Sequence, residues 1–242
     1  MIEKRGKSSL YFWLILNFIV FQSISFAQQD RFESGLASKD RGHYATALRA
    51  WIPMAESGNA EAQNNVGYMY EEGLGVPQNY LLAMNWYRQA ADNELAQAQH
   101  NMGMLYHHGY GVAQNLGEAF RWFKMAAEQE LAESEYMLGL AYEKGEGTTL
   151  NYAEARRLFL SSARKNYTPA QMMYAFMLQA GEGGDSQPFS AYVWGKIAET
   201  NGSESAIDIT TISGIQLEDS DIVEAEEIIA QCLTASLSLC PE

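Results

Sequence analysis

Four sets of side chains in this 242-residue chain have types and spacings from which chemistry can be built. The first is Ser162-Ala-Arg-Lys165, where an amine stands one helical turn from a hydroxyl and would act as its base. Acyl-transfer sites of that pattern also carry Ser-Asp-Asn and Lys-Thr-Gly elements, and neither tripeptide occurs here. The second set is His100, His107 and His108, three of the four histidines. Zinc requires three or four ligands converging on one point, but two helical turns hold His100 and His107 about 10 Å apart along the axis. No metal or other cofactor is expected. The third set is the glycine pairs, beginning with Gly73 and Gly75. A phosphate cradle follows a strand and runs into Gly-Lys-Ser/Thr, which these pairs do not. The fourth is Cys232 and Cys240. Eight residues of straight helix would separate them by about 12 Å, beyond the ~7 Å reach of a disulfide. A bond therefore requires the helix to end near Cys232 and the tail to fold back. No catalytic residue is expected.

Charge and leader narrow the field. The net charge is −14, the basic residues stop at Lys196, and acidic residues alone continue to Glu242. Such a surface repels phosphate backbones, so nucleic acid is excluded as a partner. Lys4, Arg5 and Lys7 precede an apolar run, Leu10 to Phe21, and then Ser25-Phe26-Ala27. This is the three-part layout of a secretory signal peptide, cleaved after Ala27. The run is shorter than the ~20 residues of a membrane span. A periplasmic or secreted chain that does not span the membrane is expected, and in that setting two cysteines are read as a disulfide.

The elements that position these groups come from an internal repeat. Shifted by 36 residues, segment 60–95 lies over 96–131 with about half the positions identical. Segment 132–167 follows without a gap, 168–203 is a weaker fourth copy, and 43–59 matches the second half of a unit. Each unit reads as two helices. Ala62, Val66, Gly67 and Tyr70 share a face of the first helix; Ala83, Trp86, Tyr87, Ala90 and Ala91 share a face of the second. Asn79, Asn115 and Asn151 are placed to cap the second helices, and Pro188 to start the fourth. Gly67, Gly103 and Gly139 recur at one mid-helix place, opposite Ala83, Ala119 and Ala155, so that small residues let two backbones approach. Gly73, Gly109, Gly145 and Gly181 are expected to end the first helices.

The combination Gly-x-x-Tyr-x-x-Gly-x-Gly-Val with Ala-x-x-Trp-Tyr/Phe-x-x-Ala-Ala resembles the Sel-one-like repeat family, relatives of the tetratricopeptide repeats. The resemblance is strong over 60–203 and weak over 30–59. It implies an all-α fold, a right-handed α-solenoid superhelix of antiparallel helix pairs, used as a scaffold for protein–protein interaction. The expected organisation is a signal peptide (1–27), an N-terminal cap with a half repeat (28–59), four repeats (60–203) and an acidic capping helix with tail (204–242). In the tail, Ile222, Ala225, Ile228, Ile229 and Cys232 form the apolar stripe of a terminal helix that would cover the stack's end. Leu158, Gly195 and Glu199 depart from the pattern, and the fourth unit is expected to pack less regularly. Some cysteine-rich relatives are linked to penicillin binding or β-lactam hydrolysis, which makes an envelope hydrolase acting on β-lactams or peptidoglycan fragments the alternative. This chain lacks the cysteine pair in each repeat, and Ser162 stands in register with Ala90 and Ala126 on the packing face.

A second stripe on each first helix changes from copy to copy while the packing stripe holds. It comprises Glu61, Asn64, Tyr68, Glu71 and Glu72; then Gln97, His100, Met104, His107 and His108; then Glu133, Tyr136, Leu140, Glu143 and Lys144; then Pro169, Met172, Phe176, Gln179 and Ala180. Tyr68, Met104, Leu140 and Phe176 would form an apolar floor in a concave groove, with acidic residues at one end. A protein or peptide partner with apolar anchors and some positive charge suits such a groove, a cell-envelope component among the candidates. The remaining aromatics, including Trp86, Trp122, Tyr106 and Phe123, are expected in the core.

Overall fold

Nine successive helices are each thirteen residues long: α2 (Tyr44–Glu56), α3 (Ala60–Glu72), α4 (Tyr80–Asp92), α5 (Ala96–His108), α6 (Leu116–Glu128), α7 (Ala132–Lys144), α8 (Tyr152–Arg164), α9 (Thr168–Ala180) and α10 (Pro188–Thr200). The computed structural model describes residues 26–242, so the leader and its cleavage site lie largely outside the described residues. Helix α1 (26–40) precedes these nine, and α11 (Ala206–Gly214), α12 (Asp219–Thr234) and a 3-10 turn (Leu237–Leu239) follow. The described residues contain no strand.

Equal lengths follow from repeated start and stop chemistry. The side-chain carbonyls of Asn79, Asn115 and Asn151 accept the backbone N–H of Leu82, Glu118 and Glu154, satisfying donors that a helix start leaves free. Pro188 begins α10 at its first turn. At the other end of each first helix the chain turns through a left-handed glycine; Gly145 at φ 70° hands the chain to a loop that a side chain would strain.

The chain divides into two compact units, one through Asn93 and one from Glu94. In the first, α2 packs on α3 and α3 on α4, around Trp51, Met54, Val66 and Met69. In the second, each helix from α5 to α10 packs on the next, and α12 packs on α10.

The mid-helix glycines have a sharper reason than two small faces meeting. A Cβ on Gly67 would lie 2.7 Å from the Tyr87 ring, one on Gly103 2.6 Å from Phe123, and one on Gly139 2.6 Å from Phe159. Each glycine is a notch that admits an aromatic ring from the paired helix. Phe159 is fully buried there, and burying such a ring contributes about 1.5–3 kcal/mol, more than the ~1 kcal/mol that glycine costs a helix. In the fourth unit the sizes are exchanged: Ala175 fills the notch and Gly195 stands where the ring would be. A Cβ on Gly195 would meet Thr210 of α11 at 2.5 Å. The departure therefore does not loosen the fourth unit, whose α10 buries Tyr192, Val193, Trp194 and Ile197. It opens a seat for α11.

The same notch shows that the half repeat is a whole hairpin. Gly35 of α1 receives Trp51 of α2, whose indole N–H donates to the Phe32 carbonyl at 3.2 Å. Sixteen positions separate Gly35 from Trp51, where twenty separate Gly67 from Tyr87. A connection four residues shorter takes α1 out of the 36-residue register.

Buried amides fasten neighbouring hairpins. Gln63 donates to the Ala55 carbonyl at 3.0 Å and accepts from Asn93, while Gln171 donates to Ala163 at 3.3 Å and accepts from Asn201 at 2.8 Å. The third unit carries Glu135 at this place. Its Oε1 accepts from Lys165 at 2.7 Å and Ser161 at 2.8 Å, and its buried Oε2 has no hydrogen-bond partner.

At the far end α12 is opened by a capping box between Glu218 and Asp221 and buries Ala225, Ile229 and Cys232. It ends at Thr234, and the 3-10 turn carries the chain back so that the Cα atoms of Cys232 and Cys240 stand 5.6 Å apart, within disulfide reach. Beyond it, the Pro241 carbonyl accepts from the Trp194 indole at 2.7 Å, and the Glu242 carboxylate pairs with Arg164 at 2.8 Å.

Candidate functional site

The variable stripe is partly structural. In the first unit Glu61, Tyr68 and Glu72 are exposed and Asn64 is half-buried. Glu71 accepts a 2.5 Å hydrogen bond from the buried Tyr87 hydroxyl, which makes it a fastener of α3 to α4. The Lys39 ammonium sits 5.7 Å above the Tyr68 ring.

In the second unit His100 is a link between hairpins: its Nδ1 lies 2.8 Å from the Ser134 hydroxyl and its ring packs on Phe123. Burial holds its pKa below the ordinary histidine value, with Glu133 opposing weakly. Because the folded value is depressed, the unfolded chain takes up the proton first. Stability is then level above pH ~6.5 and falls as the pH drops below it. Urea unfolding at pH 7.5 and 5.5 should show this loss, and His100→Gln should reduce it.

Met104 is half-buried beside Phe123 and Leu138, and Tyr136 is held between the rings of Phe159 and Tyr167. Met172 packs against the large core around Trp194, whereas Phe176 is exposed. His107 and His108 meet ring edge to face at 4.8 Å, and His108 stacks on Tyr110. Among the described residues no group of three His, Cys, Asp or Glu side chains is arranged to hold a metal ion. Phe123 is buried as expected, while Trp86, Trp122 and Tyr106 are half-buried.

Where α5, α6 and α7 meet, a cavity of about 80 Å³ opens. Its walls are apolar, from Leu116, Phe120, Phe123, Met137 and Leu140, and its rim is polar, from His107, Lys144 and Glu146. Leu140 and His107 belong to the variable stripe. Leu116 and Phe120 come from a second helix, which a stripe drawn along first helices cannot include. One junction further on, the places of Leu140 and Ala141 are taken by the larger Phe176 and Met177, of which Met177 is buried and Phe176 exposed.

The rim charges also follow the register. His107 Nε2 lies 3.8 Å from the Glu146 carboxylate. The same two places one repeat later hold Glu143 and Glu182, each with a buried Oε2 that has no hydrogen-bond partner. Burial raises the Glu143 pKa, Glu182 and Glu146 raise it further, and Lys144 opposes them.

Ser162 is not placed for attack. It is fully buried, and its hydroxyl donates to the Ala132 carbonyl at 2.7 Å. The Lys165 ammonium is engaged by Glu135 and the Glu130 carbonyl instead.

The sequence model of the Sel1 repeat family matches residues 60–95, 96–131, 132–167 and 168–203. The fold is similar to the crystal structure of a Sel1 repeat protein from Oxalobacter formigenes, with a TM-score of 0.70 and 28% identity, covering 83% of this chain and 84% of that one. It is also similar to c5321, a protective antigen present in uropathogenic Escherichia coli strains displaying an SLR fold, with a TM-score of 0.69 and 26% identity. That match covers 90% of this chain but about half, 52%, of the antigen. A sel1 repeat protein from Klebsiella pneumoniae, at 17% identity and a TM-score of 0.50, covers 74% of this chain and 97% of its own and shares the fold alone. No curated protein matches the chain.

Proposed function

Because the chain belongs to the Sel1 repeat family, whose members generally mediate protein–protein interactions, we propose that it is a non-catalytic scaffold binding a protein or peptide on the face of its first helices. The observation that carries this reading is the apolar cavity beside Leu140, a recess of the size and lining that receives an anchor side chain. The copy-to-copy variation of the exposed part of the stripe, Glu61, Tyr68, Glu72 and Phe176 among it, supports it, because packing does not dictate those residues. Export to the periplasm or beyond is part of the proposal. It rests on the basic and apolar leader and on the cysteine pair within bonding distance. No described helix is long and apolar enough to cross a membrane.

Capture of a partner from the cell envelope of the source organism tests the reading. Phe176→Ala, alone and with Met104→Ala, should lower capture at least tenfold. The melting temperature of the Phe176 variant should stay within a few degrees, since that ring is 37% exposed. Tyr68→Ala tests the first unit separately. Loss of capture in step with loss of fold would make these side chains core, and the scaffold reading would lose its site.

A further inference from the structure

The partner's chemistry can be narrowed by comparing two successive junctions of the second unit. The first junction offers an apolar cavity whose rim pairs His107 with Glu146. At the second, the larger Phe176 and Met177 stand in the places of Leu140 and Ala141, and the rim pair becomes two carboxylates, Glu143 and Glu182. Each of these keeps an oxygen that is buried and has no hydrogen-bond partner. Among the described residues Lys144 is the one cation that acts on Glu143, set against the carboxylates of Glu182 and Glu146. Where the preceding repeat sets a histidine against a carboxylate, a second cationic side chain would relieve the pair.

We propose that the partner segment is an extended peptide that seats one apolar side chain in the cavity and sets a lysine or arginine beside Glu143 and Glu182, one junction further on. This rests on the scaffold reading and adds the identity of two anchor residues. The cavity of about 80 Å³ has room for several waters, and a leucine, isoleucine or methionine side chain would displace them. The charged position suits arginine best, since a guanidinium presents paired donors to carboxylates. Packed helices lie ~10 Å apart and an extended chain advances about 3.3 Å per residue. The two anchors are therefore about three residues apart, in the order apolar-x-x-basic or its reverse.

The probe is a random dodecapeptide library displayed on phage and selected on the immobilised protein, with affinities of the selected sequences measured on synthetic peptides by fluorescence anisotropy. Selected peptides should share an apolar residue about three positions from Lys or Arg. Ala141→Met, which copies the side chain already accommodated at Met177, should weaken them at least tenfold by filling the cavity. Glu143→Gln with Glu182→Gln should also weaken them at least tenfold, but should leave unchanged a peptide whose basic residue is replaced by norleucine. All variants should keep the wild-type helical signal and melting curve. Selected peptides without a basic residue, or indifferent to these substitutions, would overturn the inference. If Phe176→Ala still released such peptides, the scaffold reading would survive it. A library that yields no binding sequence would take down both.

Discussion

Gly139→Val is expected to destabilise the unit containing residues 94–242 by about 2–4 kcal/mol, as overpacking of a closed core does. Urea unfolding followed by circular dichroism is the measurement. The notch at Gly139 leaves a new Cβ only 2.6 Å from the Phe159 ring. That ring is fully buried in a core shared with Tyr174 and Trp194, so it has nowhere to retreat. Valine, itself a poor helix former, recovers only a few tenths of the ~1 kcal/mol that glycine costs a helix, so the loss measured is the net of a clash and a small gain. Phe159→Leu on the same background should recover more than half of the loss, because the shorter side chain vacates the notch. A double variant no more stable than Gly139→Val alone would mean that the ring is not what the glycine makes room for.

The second large effect belongs to the tail. Cys240→Ser should lower stability by about 2–3 kcal/mol, the loop-closure value for a short bridge. The loss should be local to the C-terminal cap, where Trp194 donates to Pro241 and Arg164 holds Glu242. Limited proteolysis should cut the variant beyond Thr234 while sparing α5 to α9. Residues Cys232 and Cys240 are only 2% and 3% exposed, so a dithiol should reduce the native wild type slowly and the urea-unfolded chain fast. Wild type and variant with identical proteolysis patterns would show that the bridge does not hold the tail.

Much of this architecture could be read from the chain because its determinants are local. An asparagine three residues ahead of the N–H that donates to it and a glycine closing each first helix act within one turn, and the repeat shows them several times over. What escaped reading lies between positions that no short spacing connects. Gly35 and Trp51 make the same notch as Gly67 and Tyr87, yet a shorter connection displaces them from the period. Gly195 looks like a lapse in the pattern until Thr210, fifteen residues later, is found lying on it. The stripe of candidate binding residues runs along first helices only. It includes Leu140 and His107 but not Phe120, which closes the cavity from a second helix. It also includes His100 and Glu71, whose side chains are taken up by Ser134 and Tyr87.

Glu135 and Lys165 have a consequence for descent. Both fall inside the one 36-residue block 132–167, so a tandem duplication of that block would copy an acid together with its own counter-ion. A crossover within it would separate them, leaving a sheltered carboxylate with no ammonium beside it. Recombination at the block edges is therefore harmless here in a way that recombination in the middle is not.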